Sequence, residues 1–197
     1  MNDFGLFFSL GMDHIADLNG YDHILFVTAL CLRYLPGDWK KVLMLVTAFT
    51  IGHSITLALS SLNIIGFSTQ WIEFLIPVSI IITAAANVWE RQFRFTTRFP
   101  LIYFMAMFFG LIHGLGFSQY LKSLLGKDSG IVTQLLAFNL GLEAGQILIV
   151  VIAMLVSLIC IRVLRFQRRE YLLFVSGAIG GIALIMAIDR FPIKLLK

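Results

Sequence analysis

"IVTQLLAFNLGLEAGQILIVVIAMLVSLICIRVL", residues 131–164, holds one acid, Glu143, and one base, Arg162, the latter close to its far end. About 20 apolar residues at about 1.5 Å each span a bilayer core. This run is longer than that, so it reads as a transmembrane helix that tilts or protrudes. Its polar residues are not scattered. Asn139, Glu143 and Gln146 stand at i, i+4 and i+7, a single stripe on one face. Interhelical hydrogen bonds could satisfy Asn139 and Gln146 alone, but a carboxylate at that depth needs a partner for its charge.

The rest of the chain has the same character. It is 59% hydrophobic and 13% charged, with mean hydropathy +0.91, against roughly 25% charged residues in soluble domains. A water-facing surface cannot be built from this composition, so a polytopic, all-α membrane bundle is expected as one domain over residues 1–197. Spans are predicted at about Tyr21–Leu35, short enough to tilt or lean on the preceding segment, Lys41–Leu62, Trp71–Trp89, Pro100–Leu121, Ile131–Leu164 and Tyr171–Ile188. Residues 4–18 are apolar but too short to cross comfortably, which predicts a re-entrant or interfacial segment and seven helices in all. Asn19-Gly20 breaks the chain after it. Trp71, Trp89 and Tyr103 read as interfacial anchors.

Lys and Arg set the orientation. The loops after the first, third and fifth spans carry Arg33, Lys40, Lys41, Arg91, Arg94, Arg98, Arg162, Arg165, Arg168 and Arg169. The other face carries Lys122, Lys127, Arg190, Lys194 and Lys197. The richer face is expected in the cytoplasm and both termini outside. The sequence pI near 9.3 therefore reflects topology rather than a nucleic-acid partner. No basic n-region precedes the first apolar stretch, which predicts no cleavable signal peptide. Cys31 and Cys160 are lone cysteines in apolar segments and form neither a disulfide framework nor a CxxC site.

"AFTIGHSITLAL" (48–59) and "AFNLGLEAGQIL" (137–148) echo each other, with "GYDHILF" upstream of the first and "IHGLGF" upstream of the second. Three helices per half would make the repeat inverted, as in many secondary transporters. Gly110/Gly114, Gly141/Gly145 and Gly177/Gly181 are each GxxxG and predict close helix packing.

The chain has four histidines, His14, His23, His53 and His113, and none lies in a basic loop. A lone intramembrane histidine is as readily a hydrogen-bonded interhelical residue as a functional one; four together favour function. Helix rise puts His53 and His113 about 18–20 Å from the cytoplasmic starts of their spans. Glu143 on its stripe reaches a similar level from the opposite side, and Asp22-His23 start a span with His14 just before. One polar layer in the outer half of the membrane is expected, with Asp17, Ser54, Thr56, Asn139, Glu143 and Gln146 as pathway or supporting residues. Asp22 is read as a helix cap, a ligand or an acceptor that fixes the His23 ring. Glu73 reads as an interface position. Imidazoles with one or two carboxylates and no thiolate suit Ni²⁺, Co²⁺, Zn²⁺ or Cu²⁺, whereas Ca²⁺ and Mg²⁺ want oxygen and Cu⁺ wants sulfur.

These motifs resemble the HupE/UreJ family of bacterial membrane proteins. The family start "G-x-x-H…G-x-D-H-x-L-F" is similar to "GMDHIADLNGYDHILF" here, and "FT-x-x-H-S-x-T-L" to "FTIGHSITL". "HGLGF" from His113 and "FNLGLEAGQ" from Phe138 resemble two further family motifs. Against the nickel-branch pattern, Asp22, His23 and His113 match. The resemblance implies a nickel or cobalt permease in the bacterial inner membrane, with metal ligands among His14, Asp22, His23, His53 and His113. An intramembrane zinc hydrolase, using the same cluster to activate a bound water, is the competing expectation.

Overall fold

The computed structural model describes residues 3–89, 101–124 and 131–192. Among them are seven α-helices and no strand: α1 (Asp3–Ile15), α2 (Asp22–Cys31), α3 (Trp39–Ser61), α4 (Thr69–Trp89), α5 (Leu101–Leu124), α6 (Ile131–Leu158) and α7 (Arg168–Asp189). A π-turn over Ile159–Val163 prolongs α6. Five of these helices, α3 to α7, are long and apolar enough to cross a membrane. Their bounds fall within a few residues of those read from hydropathy. Arg91, Arg94, Arg98, Pro100, Lys127, Lys194 and Lys197 lie outside the described residues.

The first expected span is the one that differs. Helix α2 has ten residues and is about 15 Å long, too short to cross alone. It stops because the chain tightens, Tyr34 N–H donating to the Cys31 carbonyl at 2.9 Å, and then enters a 3₁₀ turn at Pro36–Asp38. What it lacks, α1 supplies. Helix α1 lies along the first half of α6, Gly11 against Phe138 and Phe8 against Gly141. Helix α2 follows the second half, Ile24 and Thr28 sharing a cleft with Leu148, Ile152 and Val156. The two short helices thus run in series beside one long one, broken at residues 16–21.

One end of the bundle is basic and well tied. Arg33 Nε donates to Asn87 Oδ1 at 2.6 Å, Asn87 Nδ2 to the Ala29 carbonyl at 2.8 Å, and Arg168 to the Arg33 carbonyl at 2.7 Å. These bonds join the ends of α2 and α4 to the start of α7. At the same end Lys41 lies 2.7 Å from Asp38, and its ammonium holds that carboxyl below the usual range. Trp71 and Trp89 are exposed toward the two ends of α4, where interfacial anchors belong. At the other end α3 finishes at Asn63, which takes φ 58°, a left-handed conformation that asparagine tolerates.

Glycine decides which helices touch closely. A Cβ at Gly110 of α5 would collide with the Phe49 carbonyl and His53 nitrogen of α3, and one at Gly52 of α3 with the Met107 carbonyl of α5. The same contact recurs between α1 and α6. A Cβ at Gly11 would meet the Phe138 carbonyl and Leu142 nitrogen, and one at Gly141 the Phe8 carbonyl. Phe49 and Phe138 hold the same place in the sequence echo, so α3 corresponds to α6 and α5 to α1. Within each pair the helices are parallel. Between pairs they oppose, because Trp39 and Leu43 at the start of α3 share a cleft with Met154 and Val150 far along α6.

This corrects the upstream half of the echo. "GMDH" (11–14) answers "GLIH" (110–113), and α2, with "GYDHILF", is an addition to the first half. The third GxxxG is also corrected: Gly177 and Gly181 are exposed and meet nothing within 4 Å.

Candidate metal centre

Four histidines converge where α1 breaks into α2. Two of them follow a close-packed glycine by three residues, His14 after Gly11 and His113 after Gly110, so each pair contact delivers one ring to the same level. His53 sits on α3 one residue beyond Gly52, and His23 opens α2. Ring centroids are 4.7 Å apart for His14 and His23, 4.9 Å for His23 and His113, and 6.0 Å for His14 and His53. His14, His23 and His53 each offer a nitrogen, all within 4.8 Å of one another.

The hydrogen bonds leave lone pairs free. His23 Nδ1–H donates to Asp22 Oδ1 at 3.0 Å, and the same oxygen accepts the His23 main-chain N–H at 2.9 Å. In the neutral ring that bond leaves Nε2 as the bare nitrogen, buried and without a partner. Ser79 donates its hydroxyl proton to the Ile76 carbonyl at 2.6 Å, so His113 Nε2–H donates to Ser79 Oγ at 3.2 Å. That leaves His113 Nδ1 bare and buried. His53 is fully buried with neither nitrogen bonded, and His14 Nε2 is likewise unpartnered. Buried polar atoms are nearly always paired, and unpaired ones call for an explanation such as an ion. Four such imidazoles, each with a buried nitrogen left unpartnered, are a donor set that suits a transition-metal ion.

Phenylalanines enclose the cluster. Phe117 packs 3.8 Å from His14, Phe26 and Phe49 at 5.3 and 5.2 Å from His113, and Phe138 at 6.4 Å from His53, between ring centroids. The chain's 18 phenylalanines gave no hint of which would do this. Such a wall keeps water and the dielectric low on one side of the rings.

On the other side a cavity of about 730 Å³ reaches His14, His23 and His113. Asp13, Asp17, Glu73, Tyr120 and Arg190 line it, residues from the end of the bundle opposite the basic one. Glu73, read from sequence as an interface residue, therefore faces this mouth.

A family model described as HupE / UreJ protein matches residues 1–190. The chain belongs to the HupE/UreJ family. Searches among curated proteins and among solved structures found no match.

In this HupE/UreJ chain the remaining polar residues fall into three groups. Asp22 is buried and occupied by His23 on one oxygen and by Arg190 on the other, at 3.3 Å. The α2 cap position is Tyr21, with no side-chain cap bond; Asp22, in the first turn, accepts both the ring N–H and the main-chain N–H of His23, and so serves the histidine and the helix start together. Asp17 turns the loop between α1 and α2, its Oδ1 accepting the Asn19 N–H at 2.8 Å.

The α6 stripe meets α3: Thr47 donates to Glu143 at 2.9 Å and Thr50 to Gln146 at 2.7 Å. These pairs lie on the basic-end side of His53. Asn139 Oδ1 and Gln146 Nε2 remain unpartnered. Ser54 and Thr56 bond backward to carbonyls of their own helix, Ser54 to Thr50 and Thr56 to Gly52. Ser79 and Arg190 were not among the residues that sequence reasoning selected. Serine is common in membrane helices, and a terminal arginine reads as a topology signal.

Proposed function

We propose that this HupE/UreJ chain binds a divalent transition-metal ion on His14, His23 and His53 and carries it across the bilayer. One observation carries the reading: three nitrogens from α1, α2 and α3 lie within 4.8 Å of one another at the head of a water-accessible cavity. His113 Nδ1 supplies a fourth donor from α5, and Asp22 orients His23. Imidazole donors, with no cysteine beside them among the described residues, favour Ni²⁺, Co²⁺ or Zn²⁺, and the family resemblance favours the first two.

From the mouth, past Asp17, the ion would shed water onto the imidazoles and leave along the α3/α6 seam beside Asn139, Gln146 and Glu143. The opposed α1/α6 and α5/α3 pairs supply two similar bodies that could rock about the site, as alternating access requires. With the basic end in the cytoplasm, both termini of this single domain lie outside the inner membrane of a bacterium.

The test is uptake of radioactive nickel or cobalt by cells. His23→Ala with His53→Ala should bring uptake to the level of cells lacking the protein. Unchanged uptake overturns the proposal. Tight zinc that does not exchange, found in the purified protein, would point instead to the intramembrane hydrolase.

A further inference from the structure

Resting on that reading, we infer that Arg190 is a positioning residue that keeps the metal site weak enough to let its ion go. Arg190 follows the last turn of α7, its main-chain N–H bonded to the Met186 carbonyl at 3.0 Å. From there the side chain enters the same cavity that reaches His14, His23 and His113. Among the described residues that line that cavity it is the one Lys or Arg, beside Asp13, Asp17, Asp22 and Glu73. Its Nη1 stands 3.3 Å from Asp22 Oδ2, while Asp22 Oδ1 is held by His23. Guanidinium, carboxylate and imidazole form a line that ends on the bare His23 Nε2.

The geometry is not that of a structural clamp. A clamp would be bidentate and enclosed, whereas this contact is single and the Arg190 side chain is 33% exposed. Two effects follow from it, and they have the same sign. A fixed positive charge in the mouth repels an arriving divalent cation, and water in the cavity screens that repulsion only in part. In addition, a carboxylate shared with a guanidinium pulls less on the His23 Nδ1 proton, so Nε2 is a poorer donor to a metal. Removing the charge therefore tightens binding. It also frees Asp22 Oδ2, which could then approach the ion. A permease must release what it binds, and Arg190 supplies the counterweight that four imidazoles otherwise lack.

The experiment uses the purified full chain in detergent with Co²⁺ alone as the probe. Visible ligand-field absorption reads binding, and a chelator chase reads release. Arg190→Gln should bind Co²⁺ about tenfold more tightly and release it correspondingly more slowly. Arg190→Lys should stay near wild type, because it keeps the charge. In an Asp22→Asn background Arg190→Gln should still tighten binding, through the lost repulsion, but by less than in wild type, since the share carried through Asp22 is gone.

Unchanged or weaker binding by Arg190→Gln, beside a wild type that binds, overturns the inference and leaves the proposed function standing. So does an Arg190→Lys protein that matches Arg190→Gln. A wild type that binds no Co²⁺ overturns both. Should Arg190→Gln not give a monodisperse protein, Arg190→Met keeps the aliphatic stem and carries the same expectation.

Discussion

His53 is buried to 0% exposure, and neither of its ring nitrogens has a partner. An imidazole in that position costs stability, because it loses water and gains no bond. His53→Leu should therefore leave the metal-free protein as stable as wild type or more so, by up to about 2 kcal/mol, while abolishing metal binding. Thermal unfolding in detergent, with and without added Co²⁺, checks both halves. A large loss of stability without metal would show that His53 is a packing residue. The histidines were legible in the sequence because ionisable side chains are rare in membrane spans and their depth follows from helix rise. Ser79 and the phenylalanine wall were not. Their roles depend on which faces meet, and nothing in "IPVSII" or in "HGLGF" says that Ser79 lies against His113.

Among the helices, glycine contacts set the spacing on which the cluster depends. At Gly52, Gly110, Gly11 and Gly141 an added methyl would strike a neighbouring carbonyl oxygen, which is backbone and cannot swing aside. Gly52→Ala or Gly110→Ala should cost about 1–3 kcal/mol and push α3 from α5, weakening metal binding as well. Gly177→Ala should be silent, since open space surrounds it. Detergent-melting curves for the three variants separate these outcomes. Hydropathy located α3 to α7 to within a few residues because each is a long apolar run. The first span was expected over residues 21–35, short enough to tilt or lean on the segment before it; the Tyr34 turn and the 3₁₀ step at Pro36 shorten α2 further, to ten residues.

For the whole molecule, the sequence echo pointed to a repeat but matched the wrong upstream segment to it. The motif "DH" drew attention to His23, whereas the glycine three residues earlier marks His14 as the counterpart of His113. Short polar motifs are weak evidence for register, and backbone contacts are strong evidence. The cluster's four members then have three distinct origins: a symmetric couple, His14 and His113; His53, whose counterpart on α6 is Leu142; and His23, brought by α2. A site of this kind gains its third and fourth donors by breaking its own symmetry.

The break between α1 and α2 has a consequence for how the protein is made. Each half-helix ends inside the bundle, where its last carbonyls or first amides have no lipid partner and would be costly to leave in hydrocarbon. Helix α2 also holds α4 through Asn87, but α1 cannot be secured until α6 exists for it to lie along, and α6 begins at Ile131. Helix α1 should therefore settle into the membrane only after α6 has been made, although it precedes α6 in the chain. A chain ending at residue 130 should leave a Phe8→Cys thiol open to a water-soluble alkylating reagent that the full-length protein excludes. Equal protection in both would mean that α1 finds its depth alone. If it does not, the metal site closes only once α6 has been made, and a chain stalled before α6 holds no half-built site.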